Sequence, residues 1–255
     1  MPVRSKTSLY SGQVDTALGG SGLEFFAVRE YREGDPMKRI DWKRHARTGE
    51  LATIDYRQER SANVVLLFDA RESAYVSPAL GDPHALDKSV DAAIEVFASL
   101  FDTGNLVGLA AFDTIPCWLA PGADDEHRER ARQLFTEHPA LSSLPPAYLD
   151  LEGGYIDPMT HVRRQLSPDA QIMLFSPLGD DYTEEVARRL DSAGHPVTVI
   201  SPDPTATRTV GQRLARVERA MRVASLRERG VRVIDWGYDD HLGIELERAE
   251  QRWAV

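Results

Sequence analysis

From Asn63 onward the chain alternates between two hydrophobic patterns. The run NVVLLFD is apolar without alternation, as expected of a strand covered on both faces. Leu86 to Phe101 then places Leu86, Val90, Ala93, Ile94, Phe97, Leu100 and Phe101 on one face at helical spacing, and Gly104 supplies a stop. NLVGLAAF predicts the next strand, DDEHRERARQLF a helix, AQIMLF a strand, YTEEVARRLDSAG a helix ending near Gly194, and PVTVIS a strand. A further helix spans Arg208 to Arg229, and VRVIDW closes the series as a strand. In that last helix Val210, Leu214, Val217, Met221 and Ala224 form a stripe expected to face the core, which leaves Arg213, Arg216, Arg219 and Arg222 on other faces, solvated or open to an acidic partner.

Ahead of this series, EFFAVREY reads as a strand and GDP follows it. Asp35 is expected to cap a helix whose first turn holds Pro36 and which runs to about Arg47, before Gly49. LATIDYR reads as another strand. Residues 1–23, rich in Gly, Ser and Thr, predict a flexible arm, and the prolines and paired glycines of residues 139–158 predict a long loop.

Alternating strands and helices predict an α/β fold: a mostly parallel sheet with helices on both faces, because parallel strands need crossovers of one hand. The expected organisation is an arm over 1–23, a segment of strand plus short helix over 24–60 packing on the main domain, and that domain over 61–255.

Composition changes this picture little, with 42% hydrophobic and 27% charged residues. Charge and cysteine usage narrow the function. A net charge of -10 argues against nucleic acid or an anionic membrane as partner, and a single cysteine, Cys117, excludes an internal disulfide. No leader pattern or membrane-spanning apolar run appears in the sequence, so the expectation is a soluble, cytoplasmic chain. No HExxH spacing, nucleophile elbow or glycine-rich phosphate loop with its lysine is present in the sequence.

The position most open to chemistry is Asp69, which ends the apolar run at the carboxyl edge of the expected sheet, where such folds bind ligands. A buried carboxylate there needs a partner, and Mg²⁺, a helix amino terminus or Arg71 would each serve. The run DARES followed by a long helix resembles the metal-ion-dependent adhesion motif of von Willebrand factor A-type domains, Asp-x-Ser-x-Ser. The resemblance implies a divalent cation held by oxygens from this loop and two later ones. Asp69 and Ser73 match its first and fifth positions. Arg71 stands at the middle serine, Tyr155 where a loop hydroxyl belongs and Pro177 where a last aspartate belongs, with Thr160, Asp180 and Asp181 too far along to substitute. The expectation is a degenerate site without metal, in which the Arg71 guanidinium replaces the cation and pairs with Asp69.

The segment from Val28 to Leu51 carries seven Lys and Arg against four Asp and Glu between Arg29 and Arg47. Its charges can pair among themselves, with Asp41 facing Lys38 and His45 and with Trp42 packing, or can meet an acidic partner. The order Arg29, Tyr31, Gly34, Asp35, then Ile40, Asp41, Trp42, Lys43, Ala46 and Arg47, with Arg39 just before the second group, is similar to the signature of the domain of unknown function 58 family. The similarity runs from about Gly22 to Trp236 and includes GVRVIDW. It implies a von Willebrand factor A-like fold and a partnership with MoxR-type AAA+ ATPases in assembly or maturation of protein complexes, without enzymatic activity of its own. Two alternatives remain: a Mg²⁺-dependent phosphohydrolase with Asp69 as nucleophile, and nucleic-acid binding through the basic segments. Arg71 cannot serve as the acid and base the first would need.

Overall fold

A computed structural model describes residues 23–32, 35, 37, 40–58, 61–113, 115–145 and 157–253. Contacts divide the described residues into two units, one ending at Ser61 and the other beginning at Ala62. The expected arm lies outside the described residues except for Leu23.

In the first unit, β1 (Leu23–Glu30) pairs antiparallel with β2 (Ala52–Gln58), and α1 (Trp42–Thr48) lies between them in sequence. The helix starts later than the proline at position 36 suggested. Asp41 is its cap, accepting from the Arg44 amide at 3.0 Å, and Gly49 ends it with φ of 73°. Asp35 does not cap α1: its carboxylate accepts from the Arg32 amide and the Thr53 hydroxyl, each at 2.9 Å. The intervening chain reaches α1 by a bridge between Ile40 and Thr53, which uses backbone groups that a longer helix would have needed.

The second unit holds a six-stranded sheet in the order β5-β4-β3-β6-β7-β8. Its strands are β3 (Asn63–Asp69), β4 (Leu106–Phe112), β5 (Cys117–Gly122), β6 (Gln171–Phe175), β7 (Val197–Asp203) and β8 (Arg232–Gly237). All neighbours are parallel except β4 and β5, so the sheet is mostly parallel with one antiparallel edge, as the alternation of strands and helices predicts. Along β3 the residues alternate between two cores. Val64, Leu66 and Phe68 face one with α2 (Ala85–Asp102), α3 (Asp125–Glu137) and α7 (Leu242–Trp253). Val65 and Leu67 face the other with α4 (Thr160–Gln165), α5 (Asp181–Ser192) and α6 (Val210–Glu228). Burial on both faces explains why the strand reads as an unbroken apolar run.

The pattern had given no element for β5, α4 or α7. β5 sits at the edge and includes Pro121, which an interior strand would not tolerate; only Cys117 in it is buried. Beside it, any side chain at Gly108 would meet the Leu119 carbonyl at 2.7 Å, so the two strands approach closely because position 108 lacks a Cβ.

Two helix faces differ from expectation. Ile94 is exposed although α2 buries nine residues, since the buried arc centres on Ala93, Val96 and Leu100. The larger correction concerns α6: the stripe Val210, Leu214, Val217, Met221 and Ala224 faces solvent, and Arg219, Val223 and Leu226 are its buried residues. Among the described residues no helix is long and apolar enough to cross a membrane.

Candidate functional site at the carboxyl edge of the sheet

β3 and β6 are adjacent and parallel, and the strand order changes direction between them. The carboxyl edge at that point is the topological switch where open α/β sheets form their ligand crevice. Asp69 is the last residue of β3, and Ser176 follows β6 directly.

Each connection folds its polar groups back over this point. After β3 the Arg71 side chain turns onto its own strand end, donating from Nε to Asp69 Oδ1 at 2.9 Å and from Nη2 to Oδ2 at 2.9 Å. After β6 the chain makes a tight turn in which buried Leu178 takes a φ of 54°, a left-handed conformation that side chains rarely adopt. Gly179 lets this turn pass the other loop, because a Cβ there would lie 3.2 Å from the Ser73 carbonyl. The turn delivers Asp180 to the amino terminus of α5 as its cap, and Thr183 one turn later.

Asp180 therefore reaches the site, contrary to its sequence distance. It takes Arg71 Nη1 at 2.8 Å on Oδ2 and Nη2 at 3.0 Å on Oδ1. Asp181 does not reach, and pairs instead with Arg222 of α6 at 2.7 Å. The Thr183 hydroxyl accepts from Arg71 Nη2 and donates to Asp69 Oδ2, both at 2.7 Å. Ser176 donates to the same Oδ2 at 2.9 Å. The guanidinium thus lies between two carboxylates, with its carbon 4.4 Å from the Tyr182 ring centroid and 5.6 Å from that of Phe112.

The electrostatics follow from this geometry. Burial works against a charge on Arg71, but the hydrogen bonds and charges of Asp180 and Asp69 outweigh it and raise its pKa. Burial likewise opposes ionisation of Asp180, yet the bonds and charge of Arg71 and the Thr183 amide hold it below the ordinary carboxylate range. Asp69 is 1% exposed and accepts Arg71 Nε, Arg71 Nη2, Ser176, Thr183 and, at 3.3 Å, the Arg71 amide. A carboxylate offers about four lone-pair sites, so Asp69 is saturated.

Other adhesion-motif positions contribute less. Ser73 lies in a one-turn 3-10 helix, Glu72–Ala74; its Oγ makes no hydrogen bond of good geometry and adds only the smallest of the influences that lower Asp180. Tyr155 lies outside the described residues. Two places on, Asp157 accepts from the Tyr182 hydroxyl and so steadies the ring over Arg71. Thr160 begins α4, and the hydroxyl that serves the site is Thr183. Pro177 supplies only its carbonyl, to Arg219 Nε at 3.0 Å. Among the described residues no group of three or more His, Cys, Asp or Glu is placed to hold a metal ion.

Of the missed residues Ser176, Asp180 and Thr183, the last two share one detectable signal. An aspartate just before the helical run from Tyr182 is a cap, and capping places that helix's first turn at the edge of the preceding strand.

The signature segment is a structural unit of its own. Asp35 and Asp41 are committed to backbone and hydroxyl donors, and the Tyr31 amide donates to the Leu51 carbonyl at 3.1 Å. Trp42 is half exposed and meets the His45 ring edge-on. Lys43 and Arg47 are exposed, Arg47 reaching the Lys43 carbonyl at 3.4 Å. Gly34, Lys38 and Arg39 fall outside the described residues. Arg29 lies on β1.

The sequence model of the family described as "Protein of unknown function DUF58" matches residues 27–207, and the chain belongs to that family. No curated protein sequence matches it. Among solved structures it is similar to a conserved hypothetical protein BatB from Bacteroides thetaiotaomicron, at 14% identity and a TM-score of 0.41, over 76% of this chain and 98% of the other. An aerotolerance-related membrane protein from Bacteroides fragilis NCTC 9343 matches at 14% identity and 0.41, over 75% and 98%. The SpRpn10 VWA domain matches at 13% and 0.38, over 72% and 92%.

Proposed function

We propose that this chain is a non-enzymatic protein-interaction module that works with a MoxR-type AAA+ ATPase in assembly or maturation of a protein complex. In this reading the metal-adhesion position is degenerate, and Arg71 is the permanent cation that holds the sheet edge in one arrangement. The observation that carries it is the Arg71 guanidinium bonded to both Asp69 and Asp180. A divalent ion would have to displace a fixed positive charge from the two carboxylates it needs. The same saturation weighs against Asp69 as a nucleophile, since attack requires a free lone pair and an open path. The overall charge of -10 favours a protein over nucleic acid as partner. The proposed location is the cytoplasm, with membrane proximity supplied by partners.

Capture of a MoxR-type ATPase by the purified chain, with and without ATP, tests this reading. Retention that Arg71→Met weakens is the expected result. Absence of association in either nucleotide state would count against it.

A further inference from the structure

α6 is long but sparsely used. Of its 19 residues only Arg219, Val223 and Leu226 are buried, all in its second half. On the opposite face Val210 is 73% exposed, Leu214 57%, Val217 57% and Met221 66%, and Ala224 continues the row. Steps of four and three residues keep these side chains on one line about 20 Å long. Scattered single apolar residues on a surface need no explanation, but a continuous helical row of this length is an unfilled seam.

The border of the row identifies what fits it. Helical spacing puts Arg213, Arg216 and Arg227 along one side and Glu218 on the other. Elsewhere on this surface many arginines are matched by carboxylates, as in Arg128 with Asp102, Arg132 with Glu129, Arg189 with Glu185 and Arg248 with Glu245. Arg213 and Arg216 have no carboxylate within ion-pair distance among the described residues, and Arg213 reaches only the Thr207 carbonyl at 3.4 Å. A positive border on a chain of net charge -10 is a local inversion of sign.

We propose that the outer face of α6 is a docking site for an acidic amphipathic helix of a partner protein. Apolar residues of that helix, at i, i+4 and i+7, seat along Val210, Leu214, Val217 and Met221, and its glutamates or aspartates face Arg213 and Arg216. A second copy of this chain fits less well, since antiparallel pairing of two α6 helices sets their arginine borders against each other. The inference rests on the reading of the chain as an interaction module and adds a second surface, away from the Asp69 site, with its own ligand chemistry.

The test uses a synthetic helical peptide of about 18 residues with leucines at that spacing and glutamates along one flank, beside the same peptide with lysines for glutamates. Fluorescence anisotropy is read at low and moderate salt against the full chain, Leu214→Asp/Met221→Asp and Arg213→Glu/Arg216→Glu. All four positions are exposed, so unchanged melting curves confirm folding. The acidic peptide is expected to bind at least about tenfold more tightly than the lysine version, with a marked salt dependence. Leu214→Asp/Met221→Asp removes binding, and Arg213→Glu/Arg216→Glu weakens it about tenfold.

Failure of the acidic peptide to bind, equal binding of both peptides, or binding that survives the aspartate pair overturns the proposal. So does a dimer in sedimentation that the aspartate pair abolishes, which assigns the seam to a second copy. A chain that captures the ATPase but binds no acidic peptide loses this inference and keeps the adaptor reading. The reverse result keeps the docking site and removes the named ATPase.

Discussion

Two arginines sit at the carboxyl edge of the same sheet, and they are held by different chemistry. Arg71 lies over β3 and is met by two carboxylates and a threonine hydroxyl. Arg219 comes from α6, is 4% exposed, and reaches the Pro177 carbonyl, the Ser201 carbonyl and hydroxyl, and Asp235 at 2.8 Å, with Asp203 at 3.6 Å. One guanidinium neutralises charge at the switch point. The other ties together the ends of β6, β7 and β8, which are largely backbone. A fixed internal cation can therefore do two jobs at one edge: occupy a site where an ion would sit, or staple neighbouring strand ends through their carbonyls and polar side chains.

The difference predicts an order of damage. Arg71→Met removes the charge, keeps the bulk, and leaves Asp69 buried and unpaired opposite Asp180. Urea denaturation at neutral pH is expected to show a loss of about 3–5 kcal/mol, the usual cost of breaking one side of a buried pair. A loss below about 1 kcal/mol would remove Arg71 from its central place. Arg219→Leu is expected to cost less, about 2–3 kcal/mol, because Asp235 and Asp203 retain solvent contact after the change and mainly carbonyls are orphaned. An equal or larger loss for Arg219 would reverse the comparison.

Much of the fold can be read from the sequence, and the successes and failures have separate causes. β3 and α2 are contiguous patterns, so sequence order alone reveals them. Arg71 and Asp69 are two residues apart and share a strand end, so their pairing needs no knowledge of the sheet. Asp180 and Thr183 meet Arg71 only because β6 lies beside β3 and its exit turn folds back through Leu178. The row on α6 was misassigned for a different reason. Periodicity shows which residues share a helix face, but says nothing about which face the rest of the chain covers. Arg219 carries that lesson furthest, since a charged residue on the supposed solvent side is the buried one.

Acid is a gentler probe of the same contrast. Asp180 is held below its usual range in the folded chain, so its contribution is present above the unfolded value and is lost as pH falls through the folded one. Stability is therefore expected to decline below about pH 4, and Asp180→Asn should lower stability at pH 7 while flattening that decline. A variant whose acid profile keeps the full slope would detach Asp180 from the Arg71 cage. The smallest effect belongs to the exposed arginines of α6: Arg213→Ala should change stability by less than about 0.5 kcal/mol, in contrast to Arg219 two turns away.

The central claim is that Arg71 already supplies the positive charge at the switch point. Calorimetric titration of Mg²⁺ or Mn²⁺ into the purified chain tests it directly. The account predicts no binding in the micromolar range and a melting midpoint indifferent to chelator. Micromolar binding that disappears in Asp69→Ala would contradict it.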